Sequence, residues 1–372
     1  MLELFHPGLA GIIAGETEIC DRDGDLRYRG YSVYDLAGGA TYLEVACLLL
    51  GDDLPNPEEF ADFRSILAEE AFLPDPVGRC LTELPLHLSV LDYLRAGVSL
   101  LGTVDPQLGD PLPEAGLAQS VRLLARFPLL LGHWVRARGR TAAPAVGADG
   151  EYAGTVLTPV LGREPGPLEE EAMETALILL ADYAFTPSSF AARLVASAGG
   201  NLFGAVAAAL GAVDAQAEQR TADEIERTLR GVERLGEADL WVRRQLEATG
   251  TIAGFITSRE MDCDPRAAIL ERYCAQLAEA CGRTEQEDVA DAIERATWDE
   301  ARMVPRIDWP LARLLGYLGA PLDVRAGVAV CGGLVGWCAH ALEQAETEEL
   351  IRPRSRYRGV PWRPFVPLSG RG

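Results

Sequence analysis

The chain has no lysine; every one of its 34 basic side chains is arginine. That absence excludes a lysine Schiff base, a pyridoxal phosphate anchor and a lysine-bearing phosphate loop. Histidine is scarce, with His6, His87, His133 and His340 the whole set in 372 residues. His340 and Glu343 lie one turn apart, but no second histidine is near, so both read as scaffold and no metal is expected. The eight cysteines, Cys20, Cys47, Cys80, Cys263, Cys274, Cys281, Cys331 and Cys338, form no C-x-x-C pair. They read as reduced thiols in a cytoplasmic protein. No apolar stretch runs unbroken for the ~18 residues of a membrane span, and the opening MLELFHPGLAG lacks a charged-then-apolar leader. No membrane role is therefore expected.

Positive charge is also short. The net charge is −22, which argues against nucleic acid, because phosphate binding needs clustered cations. The deficit is uneven. No acidic residue follows Glu349, whereas Arg352, Arg354, Arg356, Arg358, Arg363 and Arg371 do. Tyr357, Trp362 and Phe365 interleave these arginines, so the tail is expected to dock and bury them, for instance on a neighbouring subunit.

Strand pattern is rare as well. Thr17, Ile19, Leu26 and Tyr28 flank the turn Asp21–Asp25. Its alternate aspartates resemble a calcium loop, but the glycine is fourth instead of sixth and Ser32 stands at the twelfth position, so a hairpin turn is expected. Beyond residue 31, apolar residues recur at helical spacing over 33–50, 57–72, 88–102 and 116–138. A Gly- and Pro-rich stretch follows over 139–168, with a short helix near 152–161. Helices resume at 169–183 and at 188–213, the latter small-residue-rich and apolar nearly all round, as a buried central helix is. Further helices are expected over 221–231, 236–249, 265–282, 285–300, 309–319 and 323–345. The class is all-α with a short N-terminal hairpin.

Gly8–Thr17, Leu26–Tyr31, Asp35-Leu36-Ala37, Glu44-Val45-Ala46, Leu48–Gly51, Leu84-Pro85 with His87, Leu177–Asp182, Ser188–Ser197, Asp264–Ala267, Gly336–His340 and Leu350–Arg354 with Tyr357 and Gly359 follow one another in order. Together they resemble the bacterial type of the citrate synthase family over almost the whole chain. The resemblance implies a dimer of helical subunits with a large domain, 1–218 and 321–372, a small inserted domain, 219–320, and a site between them. It implies a CoA thioester or small carboxylic acid as ligand, and no bound cofactor. The partner is either a second copy or an active paralogue.

The family joins the methyl carbon of an acyl-CoA to the keto carbon of an oxo acid. A carboxylate takes the proton, hydrogen-bond donors hold the enol and the ketone, and arginines clamp carboxylates. One aspartate and three histidines share this work. The resemblance places Asp308, in Pro305-Arg306-Ile307-Asp308-Trp309, at the base position, where it also fits a helix N-cap. Tyr183, Glu218 and Thr257 stand where the three histidines belong. An ionised glutamate only accepts hydrogen bonds and repels an enolate. Ser258 and Gly333 stand at arginine positions, Arg352 is retained, and Glu348-Glu349 replaces an Asn-Arg pair. Glu218 and Glu260 add negative charge to a site built for a dicarboxylate. The expectation is the fold without the family reaction, as a structural or regulatory partner; the alternative is an acyltransferase with a changed substrate, using Tyr183, Glu218, Thr257 and Asp308 as a new acid–base set.

Overall fold

A computed structural model describes residues 7–9, 11–22, 24–140, 151–213, 215–232, 235–258, 264–347 and 349–371. For residues 7, 113, 215–220 and 235 it describes the backbone alone. Three two-residue strands come first: β1 (Cys20–Asp21), β2 (Arg27–Tyr28) and β3 (Tyr31–Ser32), paired antiparallel in that order. The expected hairpin is thus a small meander, and part of its first turn, Asp23, lies outside the described residues.

Helices then follow almost without pause. Ser32 caps α1 (Val33–Gly39), and Thr41 with Glu44 closes a capping box on α2 (Tyr42–Gly51). The run expected as one helix over 33–50 is therefore two, because Thr41 takes an extended backbone and satisfies the amides of a new start. Asn56 and Glu59 do the same for α3 (Pro57–Glu69). Next come α4 (Asp75–Thr82), which periodicity did not suggest, α5 (Val90–Thr103), α6 (Leu112–Ala137), α7 (Tyr152–Leu161) and α8 (Pro167–Leu180). The expected central helix over 188–213 is also two helices, α9 (Pro187–Ser197) and α10 (Leu202–Ala212). Gly199 has φ +80°, a Cβ on Gly200 would lie 2.9 Å from the Val195 carbonyl oxygen, and Asn201 caps the second helix.

The remainder is α11 (Ala215–Gly231), α12 (Ala238–Thr249), strand β4 (Phe255–Thr257), α13 (Pro265–Ala280), α14 (Thr284–Ala301), strand β5 (Met303–Pro305), α15 (Asp308–Tyr317) and α16 (Arg325–Glu346). The β4–β5 pair was not foreseen. Three residues on each side are too few for alternation to show.

Two apolar cores result. The larger gathers Phe127, Leu131, Leu177, Val328 and Val335 with the inner face of α13, including Ile269 and Leu277. The smaller gathers Ile225, Val242, Phe255, Ile293, Met303 and Trp309. Helix α15 straddles both, giving Leu311 and Leu314 to the first and Trp309 and Ala312 to the second. The run Leu322–Glu346 is long and apolar enough to cross a bilayer, contrary to the sequence reading, but most of it is buried inside the fold, as suits a core helix. The tail expected to bury its aromatics leaves Trp362 87% and Phe365 81% exposed among the described residues.

Candidate active site

Asp308 owes its position to the small β4–β5 sheet. Phe255, Ile256 and Thr257 pair with Pro305, Val304 and Met303. The chain leaves β5 in a tight bend: the Arg306 amide donates to the Gly254 carbonyl at 2.8 Å and the Ile307 amide to Asp264 Oδ2 at 3.0 Å. Gly254 has φ +83°, and a Cβ there would lie 3.0 Å from the Trp309 Cβ. Only glycine allows this approach without strain. Asp308 then opens α15. It is not the N-cap, which falls on Ile307 without a side-chain bond, so the capping reading is corrected. Its carboxylate instead meets Arg306 Nη2 at 3.1 Å.

Asp308 and Arg306 line a cavity of about 240 Å³ where the two cores meet. Thr221 and Arg325 add polar groups; Phe255, Leu311, Leu315 and Ala329 belong to the mostly apolar wall. Arg325 is fully committed. It donates to the carbonyls of Ala320 at 3.0 Å and Ala312 at 3.4 Å, and pairs with Glu226 at 2.6 Å, tying α11 and α15 to the start of α16.

Several inferred positions gather around this cavity. Glu218 lies on α11 one turn before the lining residues Thr221 and Ala222; its side chain, and any polar pair with Tyr183, lie outside the described residues, as do Glu260, Glu348 and the side chain of Arg220. Thr257 ends β4, two residues beyond the lining Phe255, and the following Ser258 amide donates to the Arg302 carbonyl at 2.9 Å. Gly333 sits on α16 one turn past the lining Ala329, with Trp337 and the Leu180 carbonyl in ordinary contact range of a Cβ. Arg352 is not brought in; it lies exposed at the start of the tail, whose nearest tie to the body is the Ile351 amide on Ser197 Oγ.

Tyr183 follows α8 in a turn held by Asp182, which accepts from the Ala184 amide at 2.8 Å and meets His340 Nε2 at 3.1 Å. Arg193 donates to His340 Nδ1 and to Gln344, and pairs with Glu343. Both ring nitrogens of His340 are thus engaged by neighbours in the fold, so His340 is scaffold here. The Tyr183 ring lies between two guanidinium groups, Arg266 at 3.7 Å and Arg22 at 4.0 Å from its centroid. Arg266 binds Asp264 through two bonds of 2.9 Å. Burial works against both charges, but the bidentate pair outweighs it, holding the Asp264 carboxyl below its ordinary range and Arg266 above its own. Asp264 also holds Ile307, so one buried pair links Tyr183 to the Asp308 turn.

The sequence reading missed Arg306, Arg325, Arg266 and Arg22 as site residues. Arg306 and Arg266 stand in strings it quoted, but charge spacing along a chain does not reveal a stack or a pair. Among the described residues no histidine lines the cavity: His87 is exposed, His133 Nδ1 meets Tyr93 Oη at 2.6 Å, and His340 is in the scaffold.

An all-α protein with a partly polar cavity between two cores, opened by an aspartate at a helix start, is the class defined by fold and site. Residues 8–354 match the model of the citrate synthase C-terminal domain. Citrate synthase 2 of Bacillus subtilis is 30% identical over 366 residues, 98% of each chain, and 2-methylcitrate synthase of Shewanella oneidensis is 29% identical over 373 residues, 99% of each. The crystal structure of citrate synthase from Pyrobaculum aerophilum superposes with a TM-score of 0.87 at 26% identity, covering 99% of this chain and 97% of that one. The chain belongs to the citrate synthase family.

Proposed function

We propose that this chain keeps the family's cleft but does not condense acetyl-CoA with oxaloacetate at a useful rate, and acts as a structural or regulatory subunit. The observation that carries this reading is Asp308, the base position, tied to Arg306 at 3.1 Å in a cavity that no described histidine lines. A base held by a guanidinium must leave that pairing before it can reach a carbon-bound proton. Losing one preorganised donor costs about 3 kcal/mol of transition-state stabilisation, and three positions have changed together, though such losses do not simply add.

The proposed assembly is a dimer, with a second copy or with an active paralogue, and residues 219–320 as the smaller unit. The exposed aromatic tail supports it. Seven free cysteines among the described residues support a cytoplasmic setting. The direct test is thiol release by the purified chain with acetyl-CoA and oxaloacetate. No release above background is expected. The relatives are named for making citrate and 2-methylcitrate, and turnover at an ordinary enzymatic rate would end the proposal.

A second reading, an acyltransferase acting on a different thioester, is favoured by the cavity of about 240 Å³ that Asp308 lines. Calorimetry with a panel of thioesters checks it, with binding of at least one expected.

A further inference from the structure

We infer that the cavity selects an acyl thioester whose acyl group carries its own carboxylate, and that Arg306 is the residue that selects it. This rests on the second reading above, that a thioester occupies the cavity with its acyl end at Asp308.

Arg325 is neutralised by Glu226, which leaves Arg306 and Asp308 as the charges facing the cavity, and most other lining residues, such as Leu311 and Leu315, are apolar. The two arginines are not equivalent. Arg325 is buried and held by Glu226, Ala312 and Ala320 from three segments. It is a structural tie. The Arg306 side chain is 48% exposed and is held by Asp308, two residues along its own bend. It can exchange one carboxylate for another without disturbing the fold, because its anchor is the backbone bond to Gly254.

A ligand carboxylate beside Asp308 would make a charge-assisted, potentially bidentate contact with this guanidinium. Asp308, 30% exposed, would then be released to water. A plain acetyl group offers Arg306 nothing. The phosphates of coenzyme A do not compete for it in the same pose, since a full pantetheine arm separates them from the acyl end.

Calorimetric titration of the intact protein with malonyl-CoA, acetyl-CoA and propionyl-CoA tests the inference. Malonyl-CoA should bind roughly tenfold more tightly than either neutral thioester, as one charge-assisted contact warrants. Arg306→Gln should close that gap. Asp308→Asn, which leaves Arg306 without its partner, should widen it. Equal affinities for the three, or a gap that survives Arg306→Gln, overturn the selection while leaving thioester binding intact. Binding of none of them overturns the thioester reading and the selection together.

Discussion

Gly332, Gly333 and Gly336 share one stretch of α16, yet their surroundings differ. A Cβ on Gly336 would lie 2.2 Å from the Ala181 carbonyl oxygen and 2.8 Å from Asp182 Oδ1. Neither group can retreat, because Asp182 holds the turn that presents Tyr183. Gly336→Ala should therefore destabilise the chain by about 3 kcal/mol, at the upper end of overpacking effects. At Gly333 the nearest atoms stand at 3.5 Å and 3.6 Å, ordinary contact, and Gly333→Ala should stabilise the helix by ~0.5–1 kcal/mol. Urea denaturation of the two variants checks both signs. The contrast also bears on the site. A Cβ fits at Gly333, so packing does not require a glycine at this proposed clamp position. By sequence alone the two glycines are indistinguishable; the neighbour that makes one indispensable comes from more than 150 residues away.

At the scale of elements, α15 deserves the closest reading because Asp308 opens it. Its inner face carries Trp309, Arg313 and Tyr317 into a buried acidic cluster. Trp309 Nε1 donates to Glu294 Oε1 at 2.6 Å, Tyr317 Oη donates to Glu287 at 2.5 Å, and Arg313 lies 3.5 Å from both glutamates. Glu271 and Cys274 of α13 and Asp291 of α14 complete the surroundings. Burial pushes the Glu294 carboxyl up to about 7, with Arg313 opposing and Glu271 and Asp291 adding to the rise. Glu174, buried under the starts of α2 and α7, is likewise pushed up to about 7 by burial, against the two amides that bond it. A carboxyl whose folded value is raised contributes its full stability below the unfolded value and loses it as pH climbs through the folded one. Stability should accordingly fall between pH 5 and pH 8, by ~3 kcal/mol for each such group. Glu294→Gln keeps an acceptor for Trp309 and should remove about half of that fall. Urea midpoints at the two pH values measure it. Asp264 acts in the opposite direction, since its lowered value costs stability only as acid protonates it, so it does not disturb this window.

Most of these elements were legible. The apolar spacing of α5, α6, α13 and α14 and the Pro start of α13 mark them in the sequence. What was not legible were the breaks at Ala40 and Gly199–Gly200 and the β4–β5 pair. Small residues at a break still fit a helical stripe, and a strand of three residues has no measurable period. That pair is what places Asp308 beside Gly254, so the least visible element is the one that builds the site.

At the scale of the molecule, an acidic body carries a basic, aromatic tail that it does not cover. Tyr357, Trp362, Phe365 and Leu368 are all at least 77% exposed, more apolar surface than a lone chain leaves in water without an interaction to cover it. Removing residues 352–372 should leave both apolar cores intact, since none of those residues belongs to them, but shift the proposed dimer to monomer in light scattering. An unchanged mass would place the contact elsewhere. Added salt should weaken the proposed full-length dimer, because six arginines meeting an acidic surface are screened.

The sequence by itself determined the family and the helical class; from the resemblance it also proposes Tyr183, Glu218, Thr257 and Asp308 as the acid–base positions and Arg352, Ser258 and Gly333 as the clamp positions. Those are properties of order along the chain. Only the tertiary structure decided that Asp308 is paired with Arg306 instead of capping a helix, that Tyr183 lies between Arg22 and Arg266, and that Asp308 and Arg306 line one cavity. Each of these depends on distances between side chains brought together by packing, which local sequence pattern does not encode.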